Sequence, residues 1–410
     1  MTAGLIRDLR LALRNLTRNT NRTLVAVGTV ASGVIAFLLA GGFIEWSLMY
    51  GREETIHSQL GHAQIVRPDY FEKGIADPYA FLLPADSPEQ KLIEAQPGVV
   101  SLAPRLVFNG LISHNETTVV FAGEGIDPLR EKPVGTRVNF RAGQDLQNAT
   151  DRKVVLGEGL ARALGVKPGD TVVLLATAAN GGANALEATV AGIFSTITKE
   201  YDDHAVRLPI PLARKLMRVD GATSWVVALD ATEHTDSFVT ATRTALAGKP
   251  FQIVPWRDLA DFYNKTEALF TKQVTVMKVI IGLIIVLTIM NTLTMSVLER
   301  TTEIGTSLAV GLAGRLVMRL FIIEGTLIGV VGGAAGIVMG YLLAMGISAI
   351  GIPMPPPPGM AHGYTAEILV TPSLVFDAAT LALVTTLIAS AFPAWKAGRM
   401  NIVDALRYSQ

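Results

Sequence analysis

One stretch decides the fold of this chain: Glu299-Arg300-Thr301-Thr302-Glu303-Ile304-Gly305-Thr306-Ser307-Leu308-Ala309-Val310-Gly311. It directly follows residues 279–298, an apolar run without a charge, which as a helix spans about 30 Å, enough for a bilayer's hydrocarbon core. The charged stretch therefore emerges at a membrane face, and another apolar run follows it. We expect a short, rigid helix held between two membrane helices.

The composition indicates an integral membrane protein. Half of the residues are hydrophobic and 17% are charged, and the mean hydropathy is +0.40, which is too apolar for an ordinary soluble chain. The 35 basic and 35 acidic residues cancel, so bulk charge does not indicate nucleic-acid binding. Because the chain has no cysteine, disulfides, thiolate metal sites and thiol nucleophiles are excluded.

Four apolar runs predict membrane spans at residues 24–43, 279–298, 320–350 and 374–395. The first run is interpreted as a retained anchor, because it is longer than a typical signal-peptide core and no convincing cleavage site follows it. The third run is longer than a bilayer needs, so it tilts, breaks or projects.

Basic residues in the short segments set the orientation. They are Arg7, Arg10, Arg14, Arg18 and Arg22 before the first span, Arg300, Arg315 and Arg319 between the second and third, and Lys396, Arg399 and Arg407 after the fourth. Residues 351–372 hold no Lys or Arg. The positive-inside rule then places both termini and the 299–311 stretch of this multi-pass protein in the cytoplasm.

The N-terminal residues 1–22 have the pattern of an amphipathic helix. Leu5, Leu9, Leu13 and Leu16 recur at helical spacing, opposite Arg7, Arg10, Arg14 and Arg18. This pattern predicts a helix on the cytoplasmic membrane surface with its arginines near lipid headgroups. The alternative, that these arginines only signal topology, is compatible with it.

The predicted fold is a membrane α-helical part with four transmembrane helices and a large α+β extracytoplasmic domain of two subdomains. The predicted segments are an amphipathic helix (1–22), transmembrane helix 1 (23–50), the periplasmic domain (51–271), a stalk and transmembrane helix 2 (272–298), a cytoplasmic helix (299–315), transmembrane helix 3 (316–350), a Pro-rich periplasmic loop (351–372), transmembrane helix 4 (373–395) and a cytoplasmic tail (396–410). Within the periplasmic domain, residues 117–122, 153–156, 171–177, 188–194 and 225–229 are predicted strands, and 88–95, 157–164, 212–217 and 236–246 are predicted helices.

Glycines recur at steps of four in the third span. They are Gly325, Gly329 and Gly333, and then Gly332, Gly336 and Gly340. Without side chains, such positions let another helix approach closely, which predicts a helix-packing face. The alternative is that glycine is simply common in membrane helices.

Several chemistries are missing from the sequence. The only Gly-Lys pair, Gly248-Lys249, precedes a proline, so no phosphate-binding P-loop is present and ATP hydrolysis by that route is excluded. Gly157 and Gly159 begin a nucleotide-like pattern, but Arg162 takes the third glycine's place. We interpret that segment as a short helix ended by Gly165, followed by a Pro168-Gly169 turn.

An acidic run in the outer domain and one charged residue in a span are candidates for functional sites. The run Asp202-Asp203-His204 is interpreted as a solvated loop rather than a metal site. Apart from Glu324, near the cytoplasmic start of the third span, no Asp, Glu, Lys, Arg or His lies deep in the middle of the four spans. Because ion-coupled transporters use such groups at mid-membrane, secondary transport is disfavoured. We therefore expect no enzyme activity, metal or cofactor in this chain.

The arrangement of one span, a large outer domain and three further spans resembles the FtsX-like permeases of the MacB and LolC/LolE type. Members of that family carry a Glu-Arg-Thr-x-Glu-Ile-Gly stretch followed by Ala-Leu-Gly. The matching residues are Glu299, Arg300, Thr301, Glu303, Ile304, Gly305, Ala309 and Gly311. Thr306, Ser307 and Leu308 stand where basic residues are common in the family. The end of the chain, Pro393-Ala394-Trp395-Lys396-Ala397 through Asp404-Ala405-Leu406-Arg407, resembles the family's closing stretch, and Leu156 to Asp170 resembles a piece of its outer domain.

The resemblance implies the membrane subunit of an ABC transporter, paired with a second permease chain, identical or paralogous. It also implies a separate cytoplasmic ABC ATPase that holds ATP and Mg²⁺, and mechanotransmission to the outer domain. The implied coupling helix lies in 299–311, where we expect Glu299, Arg300 and Glu303 to make polar contacts with the ATPase. Ile304 and Val310 are expected to pack against it, and Gly305 and Gly311 to permit close approach. The alternative is a membrane-surface loop with its charges in water.

Two functions follow from the resemblance. The first is extraction or expulsion of a hydrophobic or amphipathic cargo, such as a lipoprotein, lipid, peptide or drug, at the periplasmic face, with a periplasmic adaptor or cargo protein as a further partner. The second is an FtsX-like signalling scaffold that regulates a periplasmic hydrolase. The large outer domain favours the first.

Overall fold

The computed structural model of the protein describes residues 2–18, 20–74, 77–356, 359–360 and 362–401, with side chains from residue 8 onward. The side chains of Leu5 and Arg7 and the closing residues from Asp404 to Arg407 lie outside this description. The chain forms two compact units. We call Met1–Leu48, Glu267–Pro353 and Thr365–Gln410 the helical unit, and Met49–Thr266 with Met354–Tyr364 the sheet unit.

The helices follow the chain in this order: α1 (Thr2–Arg18), α2 (Thr20–Thr55), α3 (Tyr70–Lys73), α4 (Pro88–Glu94), α5 (Pro128–Glu131), α6 (Glu158–Leu164), α7 (Lys199–Asp202), α8 (Ile210–Met217), α9 (Thr235–Ala245), α10 (Trp256–Leu259), α11 (Asp261–Glu299), α12 (Thr301–Ala309), α13 (Gly314–Ile350) and α14 (Pro372–Gly398). A π-helical turn, Ile56–Leu60, extends α2. A helix that continues as a π-turn carries one extra residue per turn, a feature that is common at functional sites.

Four helices are long and apolar enough to cross a membrane in the part of the chain that the structure describes. They are Thr20–Leu60, Asp261–Glu299, Gly314–Ile350 and Pro372–Gly398. Each contains one predicted span. The predicted segment 272–298, with the stalk and the second span, lies within α11, which begins at Asp261. The third span is one uninterrupted helix of 37 residues. In the helical unit, α2, α11, α13 and α14 share a buried core that includes Val34, Ile289 and Ala382.

The glycines of α13 lie where neighbouring helices come closest. A Cβ atom at Gly325 would stand 2.5 Å from the Cβ of Ser390 in α14, and one at Gly329 would stand 2.2 Å from Thr386 Oγ1. On the other side, α2 meets the second glycine row. At Gly332, a Cβ atom would stand 2.8 Å from Val30 Cβ. The corresponding distances are 2.7 Å to Val34 Cβ at Gly336 and 2.9 Å to Leu38 Cδ1 at Gly340. Gly333 faces α14 instead, where a Cβ atom would lie 3.1 Å from Ala382 Cβ. Such contacts below about 3 Å leave no room for a side chain, so α13 packs against two helices through bare backbone.

The sheet unit contains most of the strands. They are β1 (Ala63–Val66), β2 (Val99–His114), β3 (Thr117–Ile126), β4 (Asn139–Gly143), β5 (Lys153–Gly157), β6 (Thr171–Thr177), β7 (Ala183–Ser195), β8 (Ala205–Pro209), β9 (Ser224–Leu229) and β10 (Gln252–Pro255), followed near the third span by β11 (Ile352–Met354) and β12 (Tyr364–Ala366). The first ten form one sheet in the order β10-β1-β9-β2-β3-β8-β5-β7-β4, and β6 pairs with β2 and β7. All pairs are antiparallel except β3–β8 and β5–β7.

The core of the sheet unit lies between the sheet and the helices α6, α8 and α9. Alternation along β6 buries Val172, Leu174 and Ala176 and exposes the residues between them, as expected for a strand with one covered face. The rings of Phe108 and Phe121 meet edge to face with centroids 5.7 Å apart inside this core. Every predicted strand and helix of this unit occurs, and 171–177 has the predicted bounds.

The pattern of elements predicts two subdomains in the outer domain, and in the structure ten strands join in a single sheet. The physical reason is the length of β7, which has 13 residues. Such a strand pairs with β4 and β5 along one part and with β6 along another, and thereby joins both halves. The predicted stop of α6 is confirmed, because Gly165 adopts a left-handed conformation with φ 69°.

Candidate functional site

The segment 299–311 forms a short helix between two long ones. After α11 ends at Glu299, Arg300 breaks the helical conformation and α12 starts at Thr301. The Thr301 hydroxyl donates to the carbonyl oxygens of Val297 (3.1 Å) and Leu298 (2.7 Å) and so satisfies acceptors at the end of α11. Gly311, with φ 97°, makes the turn toward α13, a conformation that glycine adopts without strain.

One face of α12 is buried in the helical unit. Ile304 packs in a cluster with Val297 of α11, Val317 and Phe321 of α13, and Ala394 and Ala397 of α14. Gly305 is also buried. The predicted roles of Ile304 and Gly305 at a partner surface therefore remain predictions, while the structure places both inside this chain's own packing.

The opposite face of α12 is open. Thr302, Glu303, Thr306 and Ser307 are exposed, and so is Gly311 after the helix. Val310, just after the helix, is 86% exposed. The hydroxyls of Thr306 and Ser307 donate to the carbonyl oxygens of Thr302 (2.6 Å) and Glu303 (2.8 Å), so they satisfy their donors within the helix.

The charged residues of the stretch have partners within the helical unit. Glu299 pairs with Arg22 of α2, and Glu303 pairs with Arg18 at the end of α1. The hydrogen bond from Arg18 and its positive charge hold the pKa of Glu303 below its usual range, against a smaller opposing effect of burial. Arg300 Nη1 donates to Glu324 Oε1 at 3.2 Å, and Asn15 Nδ2 donates to the same oxygen at 2.6 Å.

The sequence pattern predicts a membrane-surface or topology role for Arg18 and a topology role for Arg22, and it does not indicate their contacts with the 299–311 stretch. One signal in the sequence is the spacing of Asp8, Asn15 and Arg22, which recur every seven residues, close to two helical turns. Asp8 is buried and contacts Arg319 of α13 at 3.3 Å, while Leu9 and Leu13 are half exposed.

A second group of charges lies inside the sheet unit. Arg105 of β2 and Glu131 of α5 form an ion pair in which each side chain is 5% exposed. Arg207 of β8 contacts Glu124 of β3 at 3.0 Å, and the Tyr201 hydroxyl donates to the same carboxylate at 2.7 Å. Burial would raise the pKa of Glu124, but the two guanidinium groups outweigh it and hold the pKa below its usual range.

These two arginines also hold the π-helical turn Ile56–Leu60. Arg207 Nη2 donates to the carbonyl oxygen of Ser58 at 2.9 Å, and Arg105 Nη1 donates to that of Gln59. Carbonyls at a helix C-terminus have no partners within the helix, and cations stabilise that end. The buried charges therefore fasten the end of this helix into the sheet unit.

The predicted loop around Asp202 is more ordered than expected. Asp202 is buried, ends the short helix α7, and accepts hydrogen bonds from the Ser195 hydroxyl (3.0 Å) and from the Thr196 hydroxyl (2.8 Å) and amide. Burial raises its pKa, and these hydrogen bonds counteract the rise. The interpretation as a solvated loop is wrong for Asp202, since its oxygens cap a turn. The described residues hold no group of three or more His, Cys, Asp or Glu side chains placed to bind a metal ion.

His62, next to β1, is a further buried polar group. Its Nδ1 accepts the Leu229 amide at 3.0 Å, and its Nε2 lies 3.3 Å from the Thr232 hydroxyl. Burial, with the nearby His57 ring adding to it, lowers the pKa of His62 to about 4. The imidazole is thus neutral near pH 7, with Nδ1 as its acceptor.

Comparison with known proteins gives consistent matches along the chain. Residues 23–245, more than half of the chain, match the MacB-like periplasmic core domain, and residues 275–402 match the FtsX-like permease C-terminal domain. The lipoprotein-releasing system transmembrane protein LolC of Xylella fastidiosa, in strains 9a5c and Temecula1, is 26% identical, over 77% of this chain and 80% of the relative.

Two solved structures are also similar to this chain. The extracellular domain of the noncanonic ABC-type transporter YknZ from Gram-positive bacteria is 11% identical, with a TM-score of 0.34, over 47% of this chain and 98% of that one. The periplasmic region of MacB from Actinobacillus actinomycetemcomitans is 14% identical, with a TM-score of 0.36, over 51% of this chain and 94% of that one. From the domain matches and the four membrane-length helices, we conclude that the chain belongs to the FtsX-like permeases with a MacB-like periplasmic core domain.

Proposed function

We propose that this ABC transporter permease works by mechanotransmission and extracts or expels a hydrophobic or amphipathic cargo at the periplasmic face. Permeases of this family work with cytoplasmic ABC ATPase partners, in which ATP and Mg²⁺ would be bound. The observation that carries the proposal is α11, one continuous helix of 39 residues that ends one residue before α12.

The length of α11 supports transmission of movement. At 1.5 Å per residue it extends about 58 Å, roughly twice the hydrocarbon core of a bilayer. A helix satisfies its backbone hydrogen bonds internally, so it crosses lipid without losing them and moves as a rod. A tilt imposed at α12 would therefore reach the other end of α11 without an intervening loop.

The proposed orientation places both termini and α12 in the cytoplasm. The basic residues of the short segments support it through the positive-inside rule. The exposed face of α12, with Thr302, Thr306 and Ser307, and the apolar Val310 would then meet the ATPase. Val310 is exposed at the turn that ends α12, so a partner that docks on this face would cover it.

The cargo class is supported by the chain's relatives. The LolC proteins belong to a lipoprotein-releasing system by their description, and lipoproteins combine a lipid anchor with a soluble part. We therefore propose an acylated protein or another amphipathic molecule as cargo, handled by a pair of permease chains. A signalling scaffold that switches a periplasmic hydrolase is the alternative outcome of the test below.

The contact with the ATPase is tested at Val310. The variant Val310→Glu places a charge on the exposed turn, and we expect it to reduce copurification of the ATPase by at least about tenfold, as expected when a central apolar contact is lost. Leu129→Glu is the matched control, because Leu129 is 77% exposed in the sheet unit. Equal ATPase recovery from both variants would contradict the assignment of α12.

The cargo is tested with the permease and its copurified ATPase in nanodiscs. We expect an acylated peptide to stimulate ATP hydrolysis and the same peptide without its acyl chain to have no effect. Stimulation only by a periplasmic hydrolase would support the scaffold instead.

A further inference from the structure

Glu324 is a charged residue in a membrane-length helix, and its carboxylate is almost completely buried. The side chain is 4% exposed and belongs to α13, nearly three turns after the start of that helix, whose first turns carry Arg315 and Arg319. A charge in such a place is costly unless it is paired, and ionisable residues within membrane segments commonly serve function. This carboxylate therefore needs partners that compensate its charge.

Two different elements hold it at one oxygen. Asn15 Nδ2 of α1 donates to Glu324 Oε1 at 2.6 Å, and Arg300 Nη1 donates to the same atom at 3.2 Å. Arg300 is the single residue between α11 and α12, and its side chain is 12% exposed. The three side chains therefore join α1, α13 and the α11–α12 junction at one buried point.

Further ion pairs connect α1 and the start of α2 with the elements around Glu324. Asp8, near the start of α1, contacts Arg319 at 3.3 Å, and Arg18, at its end, pairs with Glu303 on α12. Arg22, in the first turn of α2, pairs with Glu299 at the end of α11. A helix that served only as a membrane anchor or topology signal would not need the polar contacts that α1 makes to α12 and α13.

We propose that Glu324 is a positioning residue for coupling, whose carboxylate locks α1 and the Arg300 junction to α13 so that these elements move together with α12. This inference rests on the proposed function and deepens it. It assigns Glu299, Arg300 and Glu303 to contacts within the chain, and leaves the exposed face of α12 and Val310 for the ATPase.

The first test uses Glu324→Gln, which keeps the size and an acceptor oxygen for Asn15 but removes the charge that holds Arg300. We expect the ratio of cargo-stimulated to basal ATP hydrolysis to fall at least about fivefold, the lower end of measured couplings between sites. Membrane insertion and copurification of the ATPase are expected to persist. Thr326→Val, on the same helix, is the control, because among the described residues the Thr326 hydroxyl donates to the Ile322 carbonyl of its own helix.

Spin labels on the full-length chain give a readout that needs no partner. Because the sequence has no cysteine, Leu11→Cys on α1 and Thr306→Cys on α12 can be labelled selectively. We expect one narrow distance distribution in the wild type and in Thr326→Val, and a broad one in Glu324→Gln. A narrow distribution together with unchanged coupling in Glu324→Gln would overturn the inference. If no ATPase binds the wild-type chain, the proposed function fails, while the distance measurement still tests the lock.

A charge exchange separates the lock from a direct ATPase contact. We expect Arg18→Glu and Glu303→Arg each to reduce coupling, and the double variant to restore it, because the pair re-forms with reversed charges. If the double variant stays uncoupled and Glu303→Arg alone loses the ATPase, then Glu303 serves the partner and the inference is overturned.

Discussion

Two ion pairs, one in each unit, differ in their exposure to solvent. In the sheet unit, Arg105 and Glu131 are buried on both sides. In the helical unit, the side chains of Arg18 and Glu303 are more than half exposed. A buried pair cannot be broken without leaving an uncompensated charge, whereas an exposed pair is weak and screened by salt. The Arg105–Glu131 pair is therefore fixed, and we expect the Arg18–Glu303 pair to open and close in a working cycle.

The buried group also explains why the π-helical turn persists. A π-turn is less favourable than an α-helical one, and here Ser58 and Gln59 at its end receive hydrogen bonds from Arg207 and Arg105. The same two guanidinium groups neutralise Glu124 and Glu131. The π-helical turn is thus hydrogen-bonded to two arginines of the sheet unit, and each arginine is itself paired with a glutamate.

The largest expected effect comes from breaking the buried group. Arg105→Met leaves the Glu131 carboxylate buried without its partner, and we expect the sheet unit to lose about 3–5 kcal/mol of stability. Thermal unfolding of the full chain in detergent, followed by near-ultraviolet circular dichroism, measures the loss. Arg130→Met is the control, because its pair with Glu94 is solvent-exposed. Similar unfolding of both variants would show that the two kinds of pair do not differ.

An intermediate effect is expected from pH. Burial lowers the pKa of His62 from 6.5 to about 4, so the unfolded chain binds a proton that the folded chain does not. This contribution is fully present above pH 6.5 and is lost as pH falls toward 4, by about 2 kcal/mol after allowance for solvent screening. Arg52, Glu53, His57 and Asp230 are the charged or titratable neighbours that act on this ring.

The variant His62→Asn provides the measurement for that prediction. Its Oδ1 can accept the Leu229 amide in place of Nδ1 but does not titrate. We expect the stability of the wild-type sheet unit to fall between pH 6.5 and 4.5 more steeply than that of the variant. Parallel stability curves would assign the pH dependence to other groups.

The smallest effect on stability is expected at the exposed pair. Arg18→Gln and Glu303→Gln should leave the unfolding temperature almost unchanged and should lower coupling between the ATPase and the cargo. We expect high salt to mimic the variants in coupling assays of the wild type, because exposed pairs are screened. If coupling depended neither on salt nor on the two substitutions, the Arg18–Glu303 pair would have no role in coupling, and the distinction from the buried Arg105–Glu131 pair would fail.

Much of the fold could be predicted locally. Membrane spans depend on the length of an apolar run, and β6 depends on alternation within seven residues, so neighbouring residues carry these signals. The strand β2 was missed because it contains Pro104 and Gly110, which normally argue against a strand. The pairing of β2 with β3 begins only at Arg105, so Pro104 has a neighbouring strand on one side alone, where it lies opposite Trp225 of β9.

The candidate site divides in the same way. That 299–311 forms a short charged helix between membrane helices follows from the sequence itself, because charge and apolar run length are read from consecutive residues. Only the tertiary structure decided which face of α12 is open. It alone also brought Glu303 to Arg18, which is 285 positions away in the chain. The reason is that side-chain pairing between distant segments depends on helix packing, set here by the bare glycine faces of α13, and no local pattern encodes it.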